Sequence, residues 1–441
     1  MCCQPMTSNI RLRVCAAVLV FLAASALANA GTETVLYRFQ GGNDGYLPAD
    51  LIADAKGNLF GTTGLGGTGP CTDPFTGAVV GCGTVYELTP PTVSGGAWTH
   101  TILYDFPNGT SGIANDGVGA GNLLFDTAGN LYLTTESGGA SNYGTVFQLA
   151  PPTVSGGSWT ATVIADFTSL ADGAVPNGLV IDHASNLYGT TSSGGALLGG
   201  VVFELTPPTT SGGSWTKTTL YSFKGGPNIG VGDGAEPQGL TLDATGNIYG
   251  GTNWGGICQG EGGCYGVIFK LTKPATSGGA WTEKVLYRFP NAEGTPDAGL
   301  VVDKTGNLYG TGYGGVIQLT IVGGKWTLNY LHLFNGQNND GNGTFGGVTL
   351  DKSGNVFGTT EVGGTSNDGI VFELSPPAVS GGAWTENILY NFAGGTDGIA
   401  PFFRVIFRHG STLYGTTGLG GNQSCVRYSE VGCGTVFAVV P

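Results

Sequence analysis

Apolar and polar positions along this chain alternate in short bursts of five to nine residues, each ended by Gly, Pro, Asn or Asp. No stretch carries a helical period over a window of about 11 residues, so every burst predicts a strand and none predicts a helix. The bursts are of four kinds, and they recur in one order. The first reads ADLIAD, GNLLFD, NGLVID, QGLTLD, AGLVVD, GGVTLD and FFRVIF. The second begins at GNLFGTT (57–63) and ends at STLYGTT (411–417), and the third runs from GTVYELTPP (83–91) to GTVFAVVP (434–441). The fourth is introduced by Trp and closed by Phe, as in 98–106, 159–167, 215–223, 281–289, 326–334 and 384–392.

The first three kinds occur seven times, with a period of 59 residues measured from Asn58 to Thr412 over six intervals. Asp-x-x-Gly-Asn between the first two strands of a unit fits a tight turn, and Pro-Pro-x-x-Ser-Gly-Gly a longer one. Four strands per unit, repeated seven times, predict an all-β fold: a seven-bladed β-propeller with four-stranded blades. A solenoid is the competing architecture, but it stacks coils between capped ends and shares no strand between its two termini. Here only six copies of the fourth strand follow a third strand. The missing copy stands at the front of the chain, as TETVLYRF (32–39). Paired to the third strand of the last unit, it closes the ring and removes two open sheet edges.

The order G-L-x-x-D-x-x-G-N-L-Y-G-T-T, then G-T-V-F-x-L-x-P, then W-T-x-x-x-L-Y-x-F, resembles the GloVer (Gloeobacter/Verrucomicrobia) tandem repeat of exported bacterial proteins. GLTLDATGNIYG (239–250) is also similar to part of an NHL-type propeller repeat, though the unit here is longer. The resemblance implies a propeller and export, and it carries no chemistry. The seventh unit departs from it, with Arg408, Ser411 and Thr412 in place of Asp, Gly and Asn.

Residues 1–30 read as an export leader, with Arg11 and Arg13 before the apolar run VCAAVLVFLAASAL and a small-x-small site ending at Ala30. The expected domains are therefore a signal peptide at 1–30 and one propeller at 31–441. The expected location is secreted or periplasmic, without a membrane span. Of 16 basic residues two fall in the leader, so the remainder meets 30 acidic residues with a net charge of −16. That balance argues against nucleic acid and anionic membranes as partners.

Six cysteines follow the leader in three close pairs, Cys71/Cys82, Cys258/Cys264 and Cys425/Cys433, each between the second and third strands of a unit. An exported chain and local spacing favour three disulfides, and the absence of CxxC spacing or a nearby His argues against a metal. These loops and the blade-to-blade loops share one end of an up-and-down propeller, which makes that end the candidate binding face. The same end carries an acid followed by Gly in every unit: Asp44, Asp116, Asp172, Asp233, Glu293, Asp340 and Asp397. Such a ring could hold calcium, but Asp-Gly also caps a turn, and that reading needs no cofactor. Trp254, expected in a loop of the fourth unit, offers an aromatic face for a sugar ring.

No catalytic or metal set is legible. The histidines (His100, His183, His332 and His409) stand in non-equivalent positions with no Cys or carboxylate at ligand spacing. Two functions stay open: a monomeric, non-catalytic propeller binding carbohydrate or protein, and a hydrolase or lyase acting on extracellular polysaccharide through two loop carboxylates.

Overall fold

The computed structural model describes residues 31–441 apart from 73–78, 107–122, 155, 211, 225–231, 259–263, 277, 291–298, 313, 380, 409 and 428–429. The expected leader at 1–30 lies outside the described residues, as do Asp116, Glu293 and His409.

Seven four-stranded antiparallel blades stand in a ring. Blade 1 shows the order common to all, Tyr46–Ala53, Leu59–Leu65, Thr84–Thr89 and Thr99–Asp105 from first strand to fourth. Blade 7 takes its first three strands from the C-terminal end (Ile406–Phe407, Leu413–Thr417, Thr435–Val440) and its fourth from Thr32–Arg38. The register runs from Thr32 opposite Val440 to Arg38 opposite Thr435, interrupted by a bulge between Val35 and Tyr37. Every other blade has a bulge at the same place, for example between the rungs Val85–Tyr104 and Tyr86–Ile102, which leaves out Leu103. Leu36 is the residue left out in the clasp, and both leucines are the L of L-Y-x-F. The N-terminal strand is therefore a true seventh copy of the fourth strand, down to its local irregularity.

The core lies between blades rather than within them. Seven apolar clusters each combine side chains of two neighbouring blades, and the seventh joins Phe39 and Val436 of blade 7 to Leu51, Leu59 and Leu88 of blade 1. The Phe that ends each fourth strand is buried in one of these seams, and each such ring contributes roughly 1.5–3 kcal/mol by leaving water. The tryptophans that open the fourth strands lie against the preceding blade: Trp215 against Tyr132 at 5.8 Å, Trp281 against Tyr188 at 6.1 Å and Trp98 against Tyr414 at 6.5 Å.

One glycine position explains the close approach of the blades. Gly434, at the start of the third strand, has φ +90°, and a Cβ there would lie 2.4 Å from Cδ of Pro48 in the next blade. Gly144, Gly200 and Gly369 stand in the same relation to Pro176, Pro237 and Pro401. The residue before each of these prolines is left-handed (Leu47, Val175, Glu236 and Ala400), and its N–H donates to a carbonyl of the preceding blade. Such strain in a non-glycine residue persists only where the surroundings over-determine it.

The Asp-x-x-Gly-Asn turns are closed as the sequence predicts. Asp243 accepts from the N–H groups of Thr245 and Asn247 and from the Asn247 amide, and Tyr249 adds its hydroxyl at 3.1 Å. Although burial pushes its carboxyl up, hydrogen bonds from Asn247 and Thr245 outweigh that and hold it at about 2. Among the described residues no helix is long and apolar enough to cross a membrane.

Candidate functional site

The described acids of the loop end sit in the seams. Asp44 Oδ1 accepts the Tyr37 hydroxyl at 2.7 Å, and Oδ2 accepts the Gln40 N–H at 2.7 Å. Asp397 repeats this with Tyr390 at 3.0 Å and the Ala393 N–H at 2.7 Å, and Asp233 with Tyr221 and the Lys224 N–H. The tyrosine in each case is the Y of L-Y-x-F, so the acid ties the end of one blade to the loop that begins the next. Where that position is not Tyr the partner changes. Asp172 meets Lys217 Nζ at 2.6 Å, and Asp340 meets His332 Nε2 at 3.2 Å.

In five of the seams a residue of the following blade also approaches the acid, at the position after W-T or its equivalent. His100 reaches Asp44 at 3.1 Å, and Lys217 reaches Asp172. In three seams the position is Glu. Burial and then the charge of Asp233 push the Glu283 carboxyl up to about 7, and burial with the charge of Asp397 does the same to Glu33. Glu386 is also pushed up by burial, with His332 opposing and Asp340 adding to the rise. The Oε1 atoms of all three are buried without a hydrogen-bond partner. Asp44 goes the other way: burial raises its carboxyl, but the hydrogen bonds from His100, Tyr37 and Gln40 bring it below the ordinary range.

The histidine expectation needs correction. His100 and His332 each stand beside a carboxylate, because a neighbouring blade or the following loop delivers an acid that sequence spacing does not reveal. His183 is exposed on an Asp-x-x-Gly-Asn-type turn of blade 3, where Ser185 replaces the Gly. Aligning the W-T-x and L-Y-x-F columns of the seven units is the signal that would have brought His332, Asp340 and Glu386 together.

Trp254 is likewise not in a loop. The second strand of blade 4 extends over Ile248–Cys258, and Trp254 pairs with Ala235 on one side and Tyr265 on the other. The hairpin prolongs the ladder because Cys258 and Cys264 face each other in register. Trp254 is 40% exposed, and its indole N–H donates to Glu236 Oε2 at 3.0 Å. Cys71–Cys82 and Cys425–Cys433 are disulfides, while the side chains of Cys258 and Cys264 lie outside the described residues. Such bonds fit an oxidising, extracellular setting.

The opposite end holds a cavity of about 1140 Å³ across blades 5 to 7, lined among others by Lys304, Lys352, Glu373, Arg404 and Phe407. Sequence reasoning did not single it out, because uniform turns at that end suggested a plain surface.

Residues 74–315 match the model of the Gloeobacter/Verrucomicrobia repeat. No curated protein matches the chain. Among solved structures, a polysaccharide lyase of family PL25, an ulvan lyase, is similar with 10% identity, covering 92% of this chain and 95% of its own at a TM-score of 0.47. A luciferin-regenerating enzyme is similar with 15% identity, covering 73% of this chain and 91% of its own at 0.43. The aldose sugar dehydrogenase of Streptomyces coelicolor is similar with 14% identity, covering 93% and 98% at 0.39. At these identities and scores the likeness carries no functional argument.

Proposed function

The chain belongs to the Gloeobacter/Verrucomicrobia repeat family, and from that premise we propose that it is an exported, non-catalytic binding propeller that recognises its ligand through the long-loop end. The observation that carries the reading is the engagement of the loop-end acids. Each described member of the ring is held by a backbone N–H and by a side chain of its seam, which fits a structural clamp better than an open catalytic pair. No cofactor is needed for this role.

What remains for recognition at that end is a set of stiffened surfaces. Two loops are stapled by disulfides, and Trp254 stands half-exposed on a ladder. Its partner Glu236 is itself pinned by an N–H bond to Gly199 of blade 3. A platform already ordered loses less entropy on binding. An indole face with a carboxylate at its edge suits a carbohydrate ring, whose C–H face stacks and whose hydroxyls donate. Protein is the second ligand class, and a monomer suffices for either.

Purified protein on an array of glycans and glycoproteins tests this. Binding is expected, and Trp254→Ala should abolish it with the melting curve nearly unchanged. Retention of full binding by that variant would move recognition elsewhere.

One observation favours a hydrolase or lyase as the second reading. Glu283, with its carboxyl near 7, stands in the seam of Asp233, and a protonated acid near a carboxylate is what glycosidic cleavage employs. Turnover of a polysaccharide that is lost in Glu283→Gln would replace the binding reading with this one.

A further inference from the structure

We propose that the seam between blades 5 and 6 binds a divalent transition-metal ion, with His332, Asp340 and Glu386 as its protein ligands. One donor atom from each of the three lies within 4.8 Å of the other two. His332 Nε2 is 3.2 Å from Asp340 Oδ1 and 3.7 Å from Glu386 Oε2. An ion bound at about 2.0–2.2 Å holds adjacent donors roughly 3–3.5 Å apart, so a small side-chain adjustment completes the set.

The site grows out of a station that recurs around the ring. At the seams of Asp44, Asp233 and Asp397 a tyrosine hydroxyl donates to the acid, and a phenol pushed up by burial and by that acid is a poor metal ligand at neutral pH. Blade 5 replaces this tyrosine with His332, whose neutral imidazole is a good ligand. Blade 6 supplies Glu386 at the position where blade 1 has His100 and blade 3 has Lys217. Among the described residues this is the one group of three His, Cys, Asp or Glu side chains arranged to hold an ion.

Charge and support point the same way. The Asp340 side chain is 11% exposed and that of Glu386 19%, and Glu386 Oε1 is buried without a hydrogen-bond partner. When both acids are ionised, two carboxylates face one imidazole. A divalent ion with neutral His332 balances their charge. Asp340 Oδ2 is fixed by the Asn335 N–H at 2.9 Å, and Phe334 packs edge-on to the His332 ring at 4.5 Å. His332 and Glu386 stand on fourth strands (Lys325–Leu333 and Thr385–Asn391), each paired along its length with the third strand of its blade. One nitrogen and two oxygens suit Zn²⁺ or Co²⁺ rather than Ca²⁺, which takes six to eight oxygens. This goes beyond the binding reading and does not depend on it.

The test is titration of the full chain, first stripped with a chelator, with Zn²⁺ or Co²⁺ alone. One equivalent should bind, raise the melting temperature and, for Co²⁺, give a visible ligand-field band. His332→Tyr installs the residue of the other seams and should fold while losing both the equivalent and the band. Glu386→Gln, nearly isosteric, should lose them as well and decides the matter if the first variant misfolds. Absence of a bound equivalent, its survival in a folded variant, or a response to Ca²⁺ alone would overturn the proposal.

Discussion

Asp50 and Arg404 face each other where the ring closes, with Arg404 Nε 3.8 Å from Asp50 Oδ2. Asp50 stands on the first strand of blade 1 and Arg404 two residues before that of blade 7. Each comes immediately before the apolar residue that blades 3 to 6 precede with Gly178, Gly239, Gly299 and Gly347. In those blades the innermost strands come close enough that a Cβ on Gly239 would lie 2.9 Å from the Gly299 Cα. The two chain ends thus meet at a seam where charge replaces that backbone contact. Burial pushes the Asp50 carboxyl up, while the charge and N–H of Arg404 oppose the rise.

Removing one partner should leave the other stranded. Arg404→Ala is expected to lower stability by about 1–3 kcal/mol in urea unfolding, the range for a buried polar group left unpaired. Asp50→Gly with Arg404→Gly restores the arrangement of blades 3 to 6, so the double variant should lose less than the sum of the single ones. Strict additivity would show that the pair is not coupled.

Closure by the N-terminal strand gives a second expectation. Deleting residues 31–39 removes Phe39 from its cluster and exposes the edge of Thr435–Val440. The truncated chain should melt earlier and associate in sedimentation or light scattering. An unchanged melting curve with a monomer would refute the clasp.

The seam glutamates predict a pH dependence. Glu33 and Glu283 titrate at about 7 in the folded chain, above the ordinary 4.5. A raised folded value means the folded state favours the proton. Their contribution is therefore full below about 4.5 and is lost as pH rises through 7. Glu283→Gln and Glu33→Gln should each flatten that part of the profile and raise the melting temperature at pH 8 relative to the parent. A parent curve flat between pH 5 and 8 would contradict this.

The staples give a fourth test. A non-reduced digest should link Cys258 to Cys264 as well as the two observed pairs. Replacing Cys71 and Cys82 by Ala should cost about 3 kcal/mol at most, the loop-closure value for a sequence separation of 11. Larger losses, or a link between blades, would assign these bonds a different role.

The sequence by itself determined the four strands of each blade, their order, the number of blades and the identity of the closing strand, but not the short loop-end strands such as Gly341–Asn342 with Val362–Gly363. Each feature it determined rests on local alternation and on spacing along the chain, which a seven-fold repeat reports seven times over. It also placed the acids beside turns, because Asp-Gly is turn chemistry. Only the tertiary structure decided what those acids touch. The tyrosine of L-Y-x-F, the loop acid and the residue after W-T come from two blades, so their meeting depends on how neighbouring blades pack and not on spacing within one unit. Trp254 passed from loop to strand for a related reason, since its ladder is set by Ala235 and Tyr265 across the sheet. The pairing of Asp50 with Arg404 needed most of all the closed ring, which brings residues 354 positions apart together on adjacent blades.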